Sequence, residues 1–190
     1  MEALETTQTP ESQSMTARTL INLILILCTA WGWTASQAQK PPVIGELSNV
    51  DKQFMQQQRM QINDLTTLHL GGRITGARDR DIGLLQRLLD EGLVRADQRR
   101  ELQAMGIVLG DLLAAELDLH WVIYEDEVGR SRALRYKDSD NYSFPITMIS
   151  RRQEADNQGR VTDIYQKAYV TINKNRPALP FSEPTTAASP

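Results

Sequence analysis

Apolar residues recur three and four positions apart in two neighbouring stretches of the chain, and this spacing predicts two amphipathic helices. The first stretch covers residues 80–93. Its helix is predicted to end at Gly92, because glycine commonly follows the last turn of a helix. The second begins after Asp97, the predicted N-cap. Its apolar positions are Leu102, Met105, Leu109, Leu112, Leu113 and Leu117. Since only a few residues separate the two stretches, they predict an antiparallel helical hairpin.

The pattern then changes to aromatic and β-branched residues over 120–126, which predicts a β-strand. Residues 127–130 predict a tight turn, and residues 131–136 predict the strand that returns from it. The two strands would pair as an antiparallel hairpin.

Residues 144–149 fit two different structures. Pro145 suits the first turn of a helix that runs to about residue 153, with Ser143 as its cap, but an edge strand fits as well. A last amphipathic helix is predicted from Ile164, Ala168, Tyr169 and Ile172. The whole pattern predicts an α+β fold: a helical hairpin packed on a small antiparallel β-sheet, with one or two C-terminal helices.

Residues 1–38 have the parts of an N-terminal extension followed by a secretory signal peptide. Arg18 precedes an apolar run over 20–33, and Ser36 and Ala38 supply small residues before a cleavage site. We expect cleavage after Ala38 and a periplasmic or secreted protein. Three glutamates precede Met15, which is the better start for a signal. An uncleaved inner-membrane anchor is the alternative, and it is the only membrane contact that the sequence predicts.

Composition narrows the classes of partner. The whole chain has 21 basic and 24 acidic residues, and removal of Arg18 and the three early glutamates leaves 20 and 21. This near-neutral balance gives no electrostatic reason to bind nucleic acid. Cys28, the single cysteine, leaves with the signal, so the secreted chain would hold no disulfide.

The remaining chain divides into three predicted parts. Residues 39–79 predict a linker and a glutamine-rich, mostly exposed helix over 49–64, capped by Asn49 or Asp51. Its glutamines favour a solvated face, with self-association as the alternative. The glycines and arginines before residue 80 predict a flexible connection rather than an anion-binding loop. Residues 80–175 predict the α+β domain, and the proline-rich residues 176–190 predict a disordered tail.

Four residues are candidates for a binding site. Gly106 and Gly110 lie one turn apart on a helix face, which favours close approach of another backbone or, alternatively, of a ligand. Trp121 suits either the core or an exposed binding face. Asp111 belongs to a group of acids, and with Glu125 it would form the carboxylate pair of a hydrolase.

No residue is predicted as catalytic. His69 and His120 lack the spacing of metal ligands, and the sequence predicts neither a metal nor a cofactor.

Four segments of the second half resemble one bacterial family. They are the helix segment around Gly106–x–x–Leu109–Gly110–Asp111, the strand that Trp121 opens, the turn at Gly129, and Phe144–Pro145–x–x–Met148–Ile149–x–Arg151–Arg152. Their order and spacing over about residues 80–170 resemble the family catalogued as domain of unknown function 3806. This resemblance implies no activity, cofactor or catalytic residue.

The sequence therefore predicts an exported bacterial protein that acts as a non-enzymatic binding or interaction module. Its partner would be an unidentified protein or envelope ligand. Two alternatives stay open. One is a hydrolase that uses Asp111 and Glu125, and the other is an inhibitor or immunity protein that binds a secreted effector through the face around Trp121.

Overall fold

A computed structural model gives the structure of the chain and describes residues 40–155 and 159–175. The predicted signal segment, most of the turn at 157–159 and the predicted tail lie outside the described residues. The elements in chain order are β1 (Val43–Glu46), α1 (Asn49–Leu70), α2 (Arg78–Asp90), α3 (Arg99–Leu117), β2 (His120–Asp126), β3 (Gly129–Arg135), β4 (Tyr142–Ser143), a 3-10 turn (Pro145–Thr147), α4 (Met148–Glu154) and α5 (Val161–Lys174). Within these ranges no helix is long and apolar enough to span a membrane.

The four strands form one antiparallel sheet in the order β1-β2-β3-β4. Side chains alternate between the two faces of each strand. Trp121, Ile123 and Leu134 share one face through the register of β2 and β3, and Trp121 on this face contacts α3 at Gly110. Tyr124 and Tyr142 point to the opposite face, because Tyr124 is out of phase with Trp121 and Tyr142 pairs with Arg135. The predicted α+β fold is confirmed.

Helix α3 runs through the centre of the fold. Eleven of its residues are buried: Leu102, Ala104, Met105, Gly106, Ile107, Val108, Leu109, Gly110, Leu112, Leu113 and Leu117. It contacts α1, α2, α4, α5 and the 3-10 turn. A helix that is apolar on most of its circumference must be covered on all sides, and these neighbours supply that cover.

The predicted linker contains strand β1 over Val43–Glu46, so the prediction of a linker is wrong for these residues. Residues 43–46 pair with β2, with Val43 opposite Glu125 and Glu46 opposite Val122. Helix α1 also buries Met55 and Ile62 and packs on α3. The compact unit therefore begins at Lys40, so the boundary that the sequence analysis placed at residue 80 falls inside it.

The N-cap of α1 is Ser48, and neither of the predicted residues Asn49 and Asp51 is the cap. The Ser48 hydroxyl accepts a hydrogen bond from the Asp51 backbone N–H, and the Asp51 carboxylate accepts one from the Ser48 backbone N–H. This reciprocal pair is a capping box. Asp51 also accepts hydrogen bonds from Arg130 and Arg132 on β3, so the start of α1 is fixed to the sheet.

Two further predicted caps are wrong. Gln98, not Asp97, is the N-cap of α3 and makes no side-chain cap hydrogen bond, while Asp97 pairs with Arg95 at 3.2 Å. Ser143 belongs to β4 and caps nothing. Residues 144–149 adopt the helical alternative, as the 3-10 turn followed by α4. The predicted role of Gly92 is confirmed, since it has a φ of 66° just after α2.

The glycine-rich connection between α1 and α2 is held by side chains of the protein itself. The backbone N–H groups of Thr75 and Gly76 donate to the buried carboxylate of Asp81. The Ile74 N–H donates to the Asn63 side chain at 3.2 Å. Because internal acceptors take these three donors, they are not available to cradle an external anion.

Candidate functional site

Gly106 and Gly110 let other parts of the fold reach the surface of α3. A Cβ at Gly106 would lie 2.6 Å from the Pro145 carbonyl oxygen. A Cβ at Gly110 would lie 2.5 Å from Cζ2 of Trp121 and 2.7 Å from Cγ of Pro145. The close approach predicted for these two glycines is thus made by the 3-10 turn and the indole ring.

Asp111 and Trp121 are brought together by the packing of β2 on α3. The indole Nε1–H of Trp121 donates to Oδ1 of Asp111 at 3.0 Å. Arg59 on α1 donates through Nε and Nη2 to the two oxygens of the same carboxylate, at 2.6 and 2.8 Å. Hydrogen bonding to Asp111 raises the pKa of Arg59 above its usual value. Nothing in the glutamine-rich stretch of sequence singled out Arg59.

This arrangement bears on the hydrolase alternative. Both oxygens of Asp111 accept hydrogen bonds from Arg59 or Trp121. Glu125 is exposed and lies four residues farther along β2 than Trp121, which corresponds to about 13 Å of strand. The geometry therefore gives Asp111 a structural task and does not favour a carboxylate pair around one substrate. The binding roles suggested for Trp121, Asp111, Gly106 and Gly110 stay predictions.

A groove that the sequence analysis did not anticipate lies between the edge of the sheet at β4 and helices α4 and α5. Its volume is about 730 Å³, within the range typical of small-molecule sites. We call it the groove, and its lining residues are Leu119, Tyr124, Leu134, Tyr136, Asp140, Asn141, Tyr142, Ser143, Phe144, Met148, Arg151, Arg152, Ala155, Ile164, Lys167, Ala168, Thr171, Ile172 and Asn175.

Three of the four aromatic rings that line the groove form a cluster on its sheet side. Tyr124 meets Tyr142 edge-on, with ring centroids 5.0 Å apart, and meets Phe144 in the same way at 5.3 Å. Tyr142 reaches Tyr124 across β3, where the intervening residue on that face is the small, fully buried Ala133. Edge-to-face pairs of this kind add to the stability gained from burial. The rings are held by one another and still line the groove.

The helical side of the groove carries positive charge. Arg151 and Arg152 are neighbours on α4, and Lys167 lies on α5. Arg152 is half-buried, and the other two are exposed. Within residues 40–155 and 159–175, none of the three forms an ion pair. Asp140 is the one acid among the described residues that line the groove, so this described lining has an excess of positive charge.

A signal for this site was present in the sequence. Phe144, Met148, Arg151 and Arg152 all line the groove, and all four belong to the segment that carries the family resemblance. Residues 164, 168 and 171 of α5 and its C-cap residue, Asn175, follow helical spacing and line the opposite wall. Neither stretch predicts a site by itself, because the groove exists only when they face each other.

The part of the chain that the structure describes holds no group of three or more histidines, cysteines or acids placed to bind a metal ion.

Tyr165 is a buried residue outside the groove whose pKa is shifted. The Tyr165 hydroxyl donates to Glu116, and burial, together with this hydrogen bond, raises the tyrosine pKa far above its usual value. Arg78 donates to the same glutamate at 2.9 Å. This cluster joins α2, α3 and α5 and has a structural role.

Comparison with known proteins supports the fold. A crystal structure of a protein from Bacteroides thetaiotaomicron VPI-5482 at 1.50 Å resolution matches with a TM-score of 0.61 and 16% identity, over 70% of this chain and 49% of that one. This chain thus spans about half the length of that protein, and the likeness shows the fold alone. No curated protein matches the chain. The family model described as "Domain of unknown function (DUF3806)" matches residues 81–165, which confirms the family resemblance of the second half of the chain.

Proposed function

We propose that the protein is an exported, non-enzymatic binding module and that the groove is its ligand-binding site. One observation carries this proposal. The groove combines aromatic and aliphatic walls with three cationic side chains, Arg151, Arg152 and Lys167, that have no acidic partner among the described residues. A concave, largely apolar site with a few convergent polar groups is the usual form of a small-molecule site.

The groove offers two kinds of interaction. Burial of apolar ligand surface against its walls supplies affinity at about 25 cal/mol per Å². Pairing of an anion with the arginines supplies orientation, because a guanidinium binds carboxylate or phosphate through two parallel hydrogen bonds. Both interactions are means of binding, and neither requires that a bond in the ligand be broken.

A fluorescent aromatic sulfonate, 8-anilinonaphthalene-1-sulfonate, tests whether the groove binds ligands, because it joins an apolar ring system to one negative charge. Thr171 is exposed and lines the groove near the C-terminal end of α5. We expect Thr171→Trp to obstruct the groove and weaken dye binding about tenfold, which corresponds to about 1.4 kcal/mol. Thr162 is exposed on the same helix outside the groove, so Thr162→Trp is the matched control.

Thermal unfolding of both variants establishes that each is folded before the dye is added. The proposal requires saturable binding to the wild-type protein and to Thr162→Trp, with weaker binding to Thr171→Trp. Equal affinity in all three proteins would place the dye elsewhere and refute the groove as the site.

Export is the second part of the proposal, and its support is the sequence of residues 15–38. An arginine, an apolar run and small residues before a cleavage position occur there in the order of a secretory signal. Expression in a Gram-negative host, followed by fractionation and N-terminal sequencing, tests it. We expect a periplasmic protein whose first residue lies close to Gln39. An uncut N-terminus in the membrane fraction would support the inner-membrane anchor, and an uncut cytoplasmic protein would refute export.

A further inference from the structure

Building on the proposed function, we infer that the ligand of the groove is a long-chain carboxylate. The carboxylate head would pair with Arg151, Arg152 and Lys167, and the hydrocarbon chain would lie along the apolar walls. The proposal thus concerns the chemical class of the ligand.

The charges of the groove favour an acidic head. Among the residues that the structure describes, three cations line it against the single carboxylate of Asp140, so the site prefers an anion to a cation or a neutral group. Two of the cations are adjacent arginines on α4, and the planar guanidinium matches the two oxygens of a carboxylate. Because Arg152 is half-buried, its ion pair with a ligand would be less screened by salt than a fully exposed one.

The walls favour an aliphatic chain. Aliphatic side chains are the largest class of lining residue, and they come from β3, α4, α5, the residue before β2 and the residue after α4. They are Leu119, Leu134, Met148, Ala155, Ile164, Ala168 and Ile172. Each methylene group of the ligand that is fully buried raises the affinity about fourfold, which is the equivalent of about 0.8 kcal/mol. A volume of about 730 Å³ leaves room for a chain of many methylenes, so chain length should control affinity.

Three small molecules separate the contributions of head and chain: decanoate, decanol and acetate. Decanoate and decanol share one chain and differ in the charge of the head, and acetate has the head without the chain. Displacement of the aromatic sulfonate dye reports the affinity of each. We expect decanoate to bind about tenfold more tightly than decanol, an advantage of about 1.4 kcal/mol from the ion pair. We expect acetate not to displace the dye.

The double variant Arg151→Gln with Arg152→Gln tests the assignment of the head. It should remove most of the preference for decanoate over decanol, and it should weaken decanol binding much less than decanoate binding. Arg100 is exposed on α3 and lies outside the groove, so Arg100→Gln is the matched control and should keep the preference. Because decanol carries no charge, its binding shows whether the double variant still has an intact groove.

The outcomes distinguish this inference from the proposed function. Dye binding that Thr171→Trp weakens, together with no displacement by decanoate, would overturn the long-chain carboxylate and leave the groove as a binding site. Equal affinities for decanoate and decanol would overturn the role of the arginines. Displacement by acetate as effective as that by decanoate would overturn the role of the chain. Dye binding that Thr171→Trp does not affect would refute both proposals.

Discussion

Asp51 is the buried carboxylate on which the join between α1 and the sheet depends. Only 2% of this residue is exposed. Its two oxygens accept hydrogen bonds from two arginines of β3, with the shortest at 2.6 Å from Arg130 and 2.7 Å from Arg132. The hydrogen bonds with Arg130 and Ser48 hold the pKa of Asp51 far below its usual range. We expect Asp51→Asn to destabilise the protein substantially.

The loss of stability in Asp51→Asn is set by the loss of the carboxylate partner of Arg130 and Arg132. Removal of one partner of a buried ion pair costs about 3–5 kcal/mol when the remaining charge stays buried. The side chains of Arg130 and Arg132 keep 45% and 23% of their surface exposed, so water can rehydrate them in the variant. We therefore expect a smaller loss, about 2–3 kcal/mol in the free energy of unfolding near neutral pH.

Urea denaturation across a pH series measures this loss. Because the folded-state pKa of Asp51 is lowered, its stabilising contribution is complete above the unfolded-state pKa of about 3.9 and disappears as the pH falls below it. The gap between wild type and Asp51→Asn should therefore be widest near neutral pH and narrow in acid. Asp64 is exposed on the same helix, and Asp64→Asn should cost less than about 0.5 kcal/mol. A gap independent of pH, or no larger than that of the control, would refute the ion-pair explanation.

Four further substitutions test the packing and polar contacts. Gly110→Ala should destabilise the protein by about 1–3 kcal/mol, because its Cβ would overlap the indole of Trp121. Gly83→Ala has open space around its Cβ and should stabilise α2 by up to about 1 kcal/mol. Urea denaturation compares the free energies of unfolding of the two variants. Tyr165→Phe should cost about 1.5–3 kcal/mol by the same measurement, since it removes a hydrogen bond to a charged acceptor. Ser48→Ala should lower the midpoint of thermal unfolding through the loss of about 1 kcal/mol of capping energy.

The parts of the fold that the sequence predicts correctly have local patterns. The two helices of the predicted helical hairpin and the two strands of the β-hairpin each carry a hydrophobic period within one continuous stretch, and all four elements are present. Strand β1 has no such pattern, since it is four residues long and forms only by pairing with β2, about 80 positions later. Helix α1 is predicted as exposed because few of its residues are apolar. Its inner face buries polar Asp51 and Thr66 beside Met55 and Ile62, and no hydrophobic period reveals buried polar residues.

The candidate site is harder to predict for a related reason. Gly106, Gly110, Asp111 and Trp121 attract attention in sequence, and the structure brings them together at one junction between α3 and β2. The residues of that junction mainly contact and hydrogen-bond one another. The groove residues are ordinary tyrosines, leucines and arginines that gain significance only through tertiary packing. An arginine becomes a candidate ligand-binding group when its surroundings lack an acid, and sequence spacing does not disclose those surroundings.

The limits of the family match divide the groove into two parts. Residues 81–165 include both arginines of α4 and the rings of Tyr124, Tyr142 and Phe144. The match ends inside α5, so the lining residues Lys167, Ala168, Thr171, Ile172 and Asn175 lie beyond it. If the arginines set the charge of the head and α5 supplies much of the wall for the chain, these two preferences reside in separate segments. Substitutions of the apolar lining residues Ala168 and Ile172 on α5 should therefore change the favoured chain length more than the preference for an acidic head.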